Sequence, residues 1–243
     1  MEARLEKYGA TDGKEGGSSF RPPPDSPPQN KEITMGKILV FDHPLISDKL
    51  TRMRRVSTSS QEFRALLYEI SILMGYEVTR DFETVPTEIE TPICKGTFPM
   101  LKDHFFTIVP ILRAGLGMVE GLLGVMPFAH VGHIGMSRDE DTHQPVEYYY
   151  KMPKNVEDSV IIVVDPMLAT GGSAVDAINS LKKRDCKNIR LMNLIAAPEG
   201  IAFVQEHHPD VDIYVAAVDE RLNEKAYIVP GLGDAGDRIF GTE

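Results

Sequence analysis

Tryptophan is absent from the 243 residues, and cysteine occurs only twice. Cys94 and Cys186 stand far apart, match no metal or redox spacing, and are read as buried structural thiols of a reducing compartment. Positive charge is in deficit, with 26 Lys and Arg against 36 Asp and Glu and a net charge of −10. That balance weighs against broad binding to nucleic acid or anionic membrane, although a local basic pocket is compatible with it. No apolar run approaches the roughly 20 residues that a membrane-crossing helix needs. The N-terminal MEARLEKYGATDGKEGG has no hydrophobic signal core. A soluble, cytoplasmic protein is expected.

With 42% hydrophobic residues, the chain can bury a sizeable core, and its length suits one α/β domain with or without an appendage. Residues 1–34 form a separate Pro/Gly/Ser-rich stretch. Gly16-Gly17-Ser18-Ser19 and Arg21-Pro22-Pro23-Pro24-Asp25-Ser26-Pro27-Pro28 cannot build a packed element, so a disordered tail is expected. The ordered domain is then 35–243, with Met35 as an alternative start. Ser59 and Glu62 make a capping box before an apolar face of Phe63, Leu66, Leu67, Ile70, Leu73 and Met74. Beyond it, strands over 105–112, 129–135, 160–164, 189–197 and 211–218 alternate with helices over 116–126, 174–183 and 201–207. This is the pattern of a parallel sheet with crossover helices and ligands at the carboxyl ends of the strands.

The richest segment is VIIVVDPMLATGGSA, residues 160–174. Five β-branched residues predict a strand buried on both faces. Asp165 is placed at its end, followed by a Gly-rich turn whose N–H groups, with a helix N-terminus, form an anion nest. Ser173 and Asp176 have capping-box spacing for that helix. No Lys follows the glycines, which argues against a nucleoside triphosphatase. Gly231, Gly233 and Gly236 match a dinucleotide fingerprint, but too little chain follows for a helix and second strand, so the match is read as chance.

Three further segments carry chemistry. PILRAGLG, residues 110–117, puts Arg113 in a Gly-containing turn suited to phosphate oxygens. The polar excursion of 136–153 has the length of a lid or binding loop, with Arg138 and Lys151 as phosphate candidates and a solvated hairpin as the alternative. YIVPGLGDAGDR, residues 227–238, offers backbone that can approach a flat ligand closely. Lys49 to Arg55 is a basic stretch suited to an interface, an allosteric nucleotide or simple solvation. The histidines, including His130, His133, His207 and His208, match no metal spacing.

Together these segments resemble the uracil phosphoribosyltransferases over roughly 41–242. VIIVVDPMLATGGSA resembles the phosphoribosyl-diphosphate (PRPP) motif, PILRAGLGM the pyrophosphate loop, and YIVPGLGDAGDRIFGT the base-binding terminus. RDEDTHQPVEYYYK, AAPEG and HPDVDIYVAAVD match other family segments. RDEDTHQ departs from the family's RDPET-like form, and the N-terminal extension is longer than in typical bacterial members. The resemblance implies a phosphoribosyltransferase-type fold with an excursion hairpin or lid and a C-terminal base-binding segment. It implies transfer of the phosphoribosyl group of PRPP to N1 of uracil, giving UMP and pyrophosphate in pyrimidine salvage. Arg113, Arg138 and Asp165 would be catalytic. PRPP would meet Arg113, Arg138, Asp165, Pro166, Met167, Leu168, Ala169, Thr170, Gly171, Gly172, Ser173 and Asp234. Uracil would meet Ile228, Gly233, Asp234 and Ala235. Mg²⁺ would arrive mainly on PRPP. Self-association as a dimer or tetramer, and activation by GTP as in some members, are also implied. A catalytically silent PRPP-binding regulator and a transferase for another base stand as alternatives.

Overall fold

The computed structural model describes residues 36–102, 105–138 and 145–242. The proposed tail, Met35 and the tip of the excursion lie outside these residues, as do the side chains of Arg138 and Pro145. The elements in chain order are β1 (Ile38–Val40), α1 (Pro44–Arg54), α2 (Ser60–Val78), β2 (Thr84–Glu90), β3 (Lys95–Leu101) and β4 (Phe106–Leu112). Then come α3 (Leu116–Val125), β5 (His130–Val131), β6 (His133–Arg138), β7 (Pro145–Lys151), β8 (Val160–Leu168) and α4 (Gly172–Lys182). The chain continues through β9 (Asn188–Ala196), α5 (Pro198–His207), β10 (Asp212–Val218), β11 (Arg221–Leu222), β12 (Ile228–Val229) and α6 (Ala235–Phe240).

The central sheet has the order β1-β10-β9-β8-β4-β6-β7, with β5 also pairing β4. All pairs are parallel except β6–β7. The β-branched run explains why β8 lies at its heart. Ile162 and Val164 point to one core with α1, α2 and α3, while Ile161 and Val163 point to the other with α4 and α5. All four side chains are fully buried, each worth about 1.5–3 kcal/mol in apolar burial. From β4 the chain crosses to β6, and from β8 it crosses the opposite way to β9. The reversal leaves a crevice at the carboxyl ends of β4 and β8, where open α/β sheets bind ligands.

Several boundaries differ from the sequence expectation. Strand β8 does not stop at Asp165, because Asp165, Met167 and Leu168 keep pairing with Asn193, Ile195 and Ala196 of β9. Helix α4 starts at Gly172 with Gly171 as its cap, so Ser173 lies within the first turn and no capping box forms. At the start of α2 the Ser59 hydroxyl does accept the Glu62 N–H at 3.2 Å. The strand expected over 129–135 breaks at Gly132, where a Cβ would stand 2.1 Å from Met152 Sδ, and β6 runs on to Arg138. A six-residue helix, α6, does follow the C-terminal glycines, capped by Asp234, whose Oδ1 accepts the Asp237 N–H at 3.0 Å. No strand follows it among the described residues, so a dinucleotide unit is still not formed. The stretch between α2 and β4, unreadable from pattern, is an antiparallel β2–β3 hairpin standing as its own sheet. Cys186 is buried as expected, but Cys94 is exposed. It sits in the β2–β3 turn, where the Thr91 hydroxyl, not apolar packing, holds the backbone.

Candidate active site

The crevice between β4 and β8 holds a cleft of ≈ 460 Å³. Arg113 and Ala114 come from the turn after β4, and Asp165, Met167 and Ala169 from β8 and its extension. Lys225, Ala226, Tyr227, Ile228, Gly233, Asp234, Ala235 and Gly236 of the C-terminal segment close the other side. Three of the four segments singled out in sequence therefore converge on one space, although 52 residues separate Arg113 from Asp165 and the terminal segment lies further on.

Asp165 is the partly buried acid of the cleft. Burial pushes its carboxyl up from 3.8 to about 7, the neighbouring Asp234 charge adds to the rise, and the Met167 N–H opposes it by donating to Oδ1 at 3.4 Å. Beneath it, the fully buried Asn193 donates Nδ2 to the Asp165 carbonyl at 2.7 Å, while its Oδ1 has no hydrogen-bond partner. Pro166 and Leu168 are buried in the strand. Beyond Ala169 the chain turns through Thr170, Gly171, Gly172 and Ser173 into α4, outside the cleft lining but continuous with it. The turn needs its glycine, since Gly171 has φ +83°. It rests on α5, where a Cβ on Gly200 would lie 2.4 Å from Ala169 O.

Arg113 is largely exposed, 3.9 Å from Asp237 Oδ1, and its guanidinium lies over the Phe240 ring at 5.6 Å. It is a cation presented to the cleft mouth. Arg138 ends β6, which runs parallel to β4, so its backbone lies toward the same edge of the sheet as Arg113. Lys151 does not join it. The hairpin reverses the chain, so Lys151 faces His133 while Arg138 faces Pro145, putting the two roughly 17 Å apart along the strands. The excursion is a β-hairpin at its base, and β7 is tied to α4. Glu147 accepts from the Ser180 hydroxyl and from Arg184 Nη2 at 2.9 Å, and Arg184 stacks over Tyr150 at 3.8 Å. Burial works against the ionised Glu147, but these donors outweigh it and hold its carboxyl below the usual range.

Ile228 and Ala235 are buried, whereas Gly233, with φ +81°, and Asp234 are exposed. The part of the rim before Tyr227, at 223–226, was not anticipated. There Asn223 Oδ1 accepts the N–H groups of Lys225 and Tyr227, both at 2.9 Å, presenting a lysine at the cleft. A lone lysine in a polar loop carries no signal in sequence. The basic stretch 49–55 is not simply solvated, since Lys49 pairs with Glu69, Arg52 with Asp48, and Arg54 with Asp219.

The sequence profile of the uracil phosphoribosyltransferases matches residues 40–242. The chain belongs to the uracil phosphoribosyltransferase family. A uracil phosphoribosyltransferase from Finegoldia magna is 64% identical over 209 residues, covering 86% of this chain and 100% of its own length. One from Bacillus licheniformis is 61% identical over the same shares. A solved protein structure from Aquifex aeolicus has a TM-score of 0.78 at 39% identity, covering 85% of this chain and 99% of its own. The family match spans all three segments that meet at the cleft. Among the described residues no helix is long and apolar enough to cross a membrane.

Proposed function

We propose that this cleft transfers the 5-phosphoribosyl group of PRPP to N1 of uracil, forming UMP and releasing pyrophosphate. The observation that carries the reading is the convergence of the strand-end acid, the Arg113 turn and the C-terminal segment at one switch point of the sheet. The turn at 169–173, at the N-terminus of α4, suits the 5′-phosphate. Asp165 would accept hydrogen bonds from the ribose hydroxyls and favour positive charge on the ring at the transition state. Arg113, with Arg138 from the hairpin, would neutralise charge growing on the leaving pyrophosphate. The peptide groups of Ile228, Gly233 and Ala235 would recognise uracil's alternating donors and acceptors. Cytosine would meet mismatched buried groups, a discrimination of several kcal/mol in favourable cases.

Among the described residues no three His, Cys, Asp or Glu side chains group as a metal site; in this reading Mg²⁺ is carried mainly by PRPP. Bound there, it would neutralise charge on the diphosphate. Residues 1–34 are taken as an appendage outside the catalytic unit. Self-association as a dimer or tetramer and activation by GTP rest on the family resemblance, and sedimentation and initial rates with and without GTP test them. The reaction itself is tested by incubating the protein with uracil, PRPP and Mg²⁺ and resolving the products by chromatography. UMP and pyrophosphate in equal amounts are expected. Product from another base but not from uracil would favour a different acceptor, and PRPP binding without turnover would favour a regulator.

A further inference from the structure

The C-terminal segment enters the cleft after a turn centred on Gly231, and that turn is fixed from behind by a buried ion pair. Asp219 follows the end of β10, its side chain only 5% exposed. Both carboxylate oxygens are engaged. Oδ1 accepts Arg54 Nη2 at 2.6 Å, and Oδ2 accepts Arg54 Nη1 at 2.7 Å and the Gly231 N–H at 2.8 Å. Arg54 Nη1 also donates to the Gly231 carbonyl at 2.7 Å. The pair therefore grips the peptide groups on both sides of Gly231. Asp219 is itself anchored, its N–H donating to Ala196 O at the end of β9 at 2.8 Å. The turn needs its glycine, because Gly231 holds φ +65° and a Cβ there would lie 2.1 Å from Ile228 O.

Neither Asp219 nor Arg54 lines the cleft. Their effect on it passes through Gly231, which sits between Ile228 and Gly233, two of the three backbone positions assigned to the base. Bidentate Arg–carboxylate pairs are strong and directional, and a backbone recognition site depends on such support for its geometry. We infer that Asp219, held by Arg54, is a positioning residue that sets the affinity and selectivity of the C-terminal segment for the uracil ring. This rests on the assignment of the base to that segment. It also gives part of the basic stretch 49–55 a task other than nucleotide binding, since the Arg54 guanidinium is already engaged by protein.

The test is steady-state kinetics of Asp219→Asn and Arg54→Lys at 25 °C, with thermal unfolding alongside. Asn keeps the shape but points an amide N–H at one of the donors. Lys keeps the charge but cannot bridge Asp219 and Gly231 O together. Either variant is expected to raise KM for uracil about tenfold and to lower the uracil-to-cytosine ratio of kcat/KM by a similar factor. KM for PRPP should stay within about twofold, because the phosphate loop is held elsewhere. A lower Tm with both KM values and the base ratio unchanged would assign the pair to stability alone and overturn the inference. Should Asp219→Asn fail to fold, Arg54→Lys decides the matter. Gly236→Ala separates the two layers, since its methyl would enter the cleft wall 3.2 Å from Asp234 Oδ1 and 3.9 Å from Ala114 Cβ. If Gly236→Ala raises KM for uracil and the Asp219 and Arg54 variants do not, positioning fails while the base assignment stands. If all three leave it unchanged, the base assignment fails and the inference with it.

Discussion

Asp165 is legible in sequence as an acid after a β-branched run, yet its protonation is not. Its carboxyl titrates near 7 because the cleft desolvates it and Asp234 stands nearby. In the proposed reaction the ionised form is the one that would accept hydrogen bonds from the ribose hydroxyls, so kcat/KM for PRPP should rise with pH through about 7. Asp234→Asn removes the neighbouring charge and should move that limb to lower pH, and Asp165→Asn should abolish it. Under saturating substrates Asp165→Asn should lower kcat by a factor on the order of 10² to 10³, comparable to losing one electrostatic contact to the transition state. An unchanged turnover number would remove Asp165 from the mechanism. Arg113 was equally visible as the one cation in a tight glycine turn. Lys225 and Asn193 were not, because nothing in a local pattern reveals which loop lysine lines a cleft or which strand asparagine bonds to a neighbouring strand's carbonyl.

Elements were most legible where one periodicity prevailed. Helix α2 and strand β8 follow from their apolar spacing, and both begin where that spacing places them, although β8 runs four residues past the expected end at Val164. Capping chemistry misled at α4, where Ser173 and Asp176 have the right spacing, but Gly171 in the left-handed region caps the helix and starts it two residues earlier, at Gly172. The hairpin was mistaken in part for a loop because its strands are polar and aromatic on exposed faces, with Tyr148 and Tyr149 about half exposed. The turn at 169–173, proposed for the 5′-phosphate, gives an element-scale test. Gly200→Ala would drive a Cβ against Ala169 O and Leu168 O and should displace the turn. KM for PRPP should rise about tenfold, equivalent to ~1.4 kcal/mol of binding, while KM for uracil stays nearly constant. Equal changes in the two constants would show that α5 does not specifically support the phosphate turn.

At the scale of the whole molecule, the raised Asp165 carboxyl ties stability to pH. A carboxyl raised in the fold favours the protonated form, so its stabilising contribution is complete below about 3.8 and is lost as pH climbs through about 7. The unliganded Asp165→Asn protein should therefore match the wild type in Tm near pH 4 and exceed it at pH 8. A Tm difference constant across that range would mean that the carboxyl is not desolvated. The ion pairs that join distant segments act at this scale too. The Arg54–Asp219 pair, together with the hydrogen bonds from Arg64 Nη1 to Ile239 O at 2.8 Å and from Arg238 Nη2 to Arg55 O at 2.7 Å, draws the C-terminal part of the chain back onto α1 and α2.

The sequence by itself determined the α/β alternation, the doubly buried strand and the candidate chemistry of Asp165, Arg113 and the glycine turns. These depend on neighbours within a few residues, where periodicity and backbone freedom act. Only the tertiary structure decided that the three segments face one cleft. It also decided that Lys151 lies at the far end of the hairpin and that Arg54 is held by an acid 165 residues away. Such contacts are fixed by strand order and crossover direction, which assemble the core as a whole and leave no mark on any short stretch of the chain.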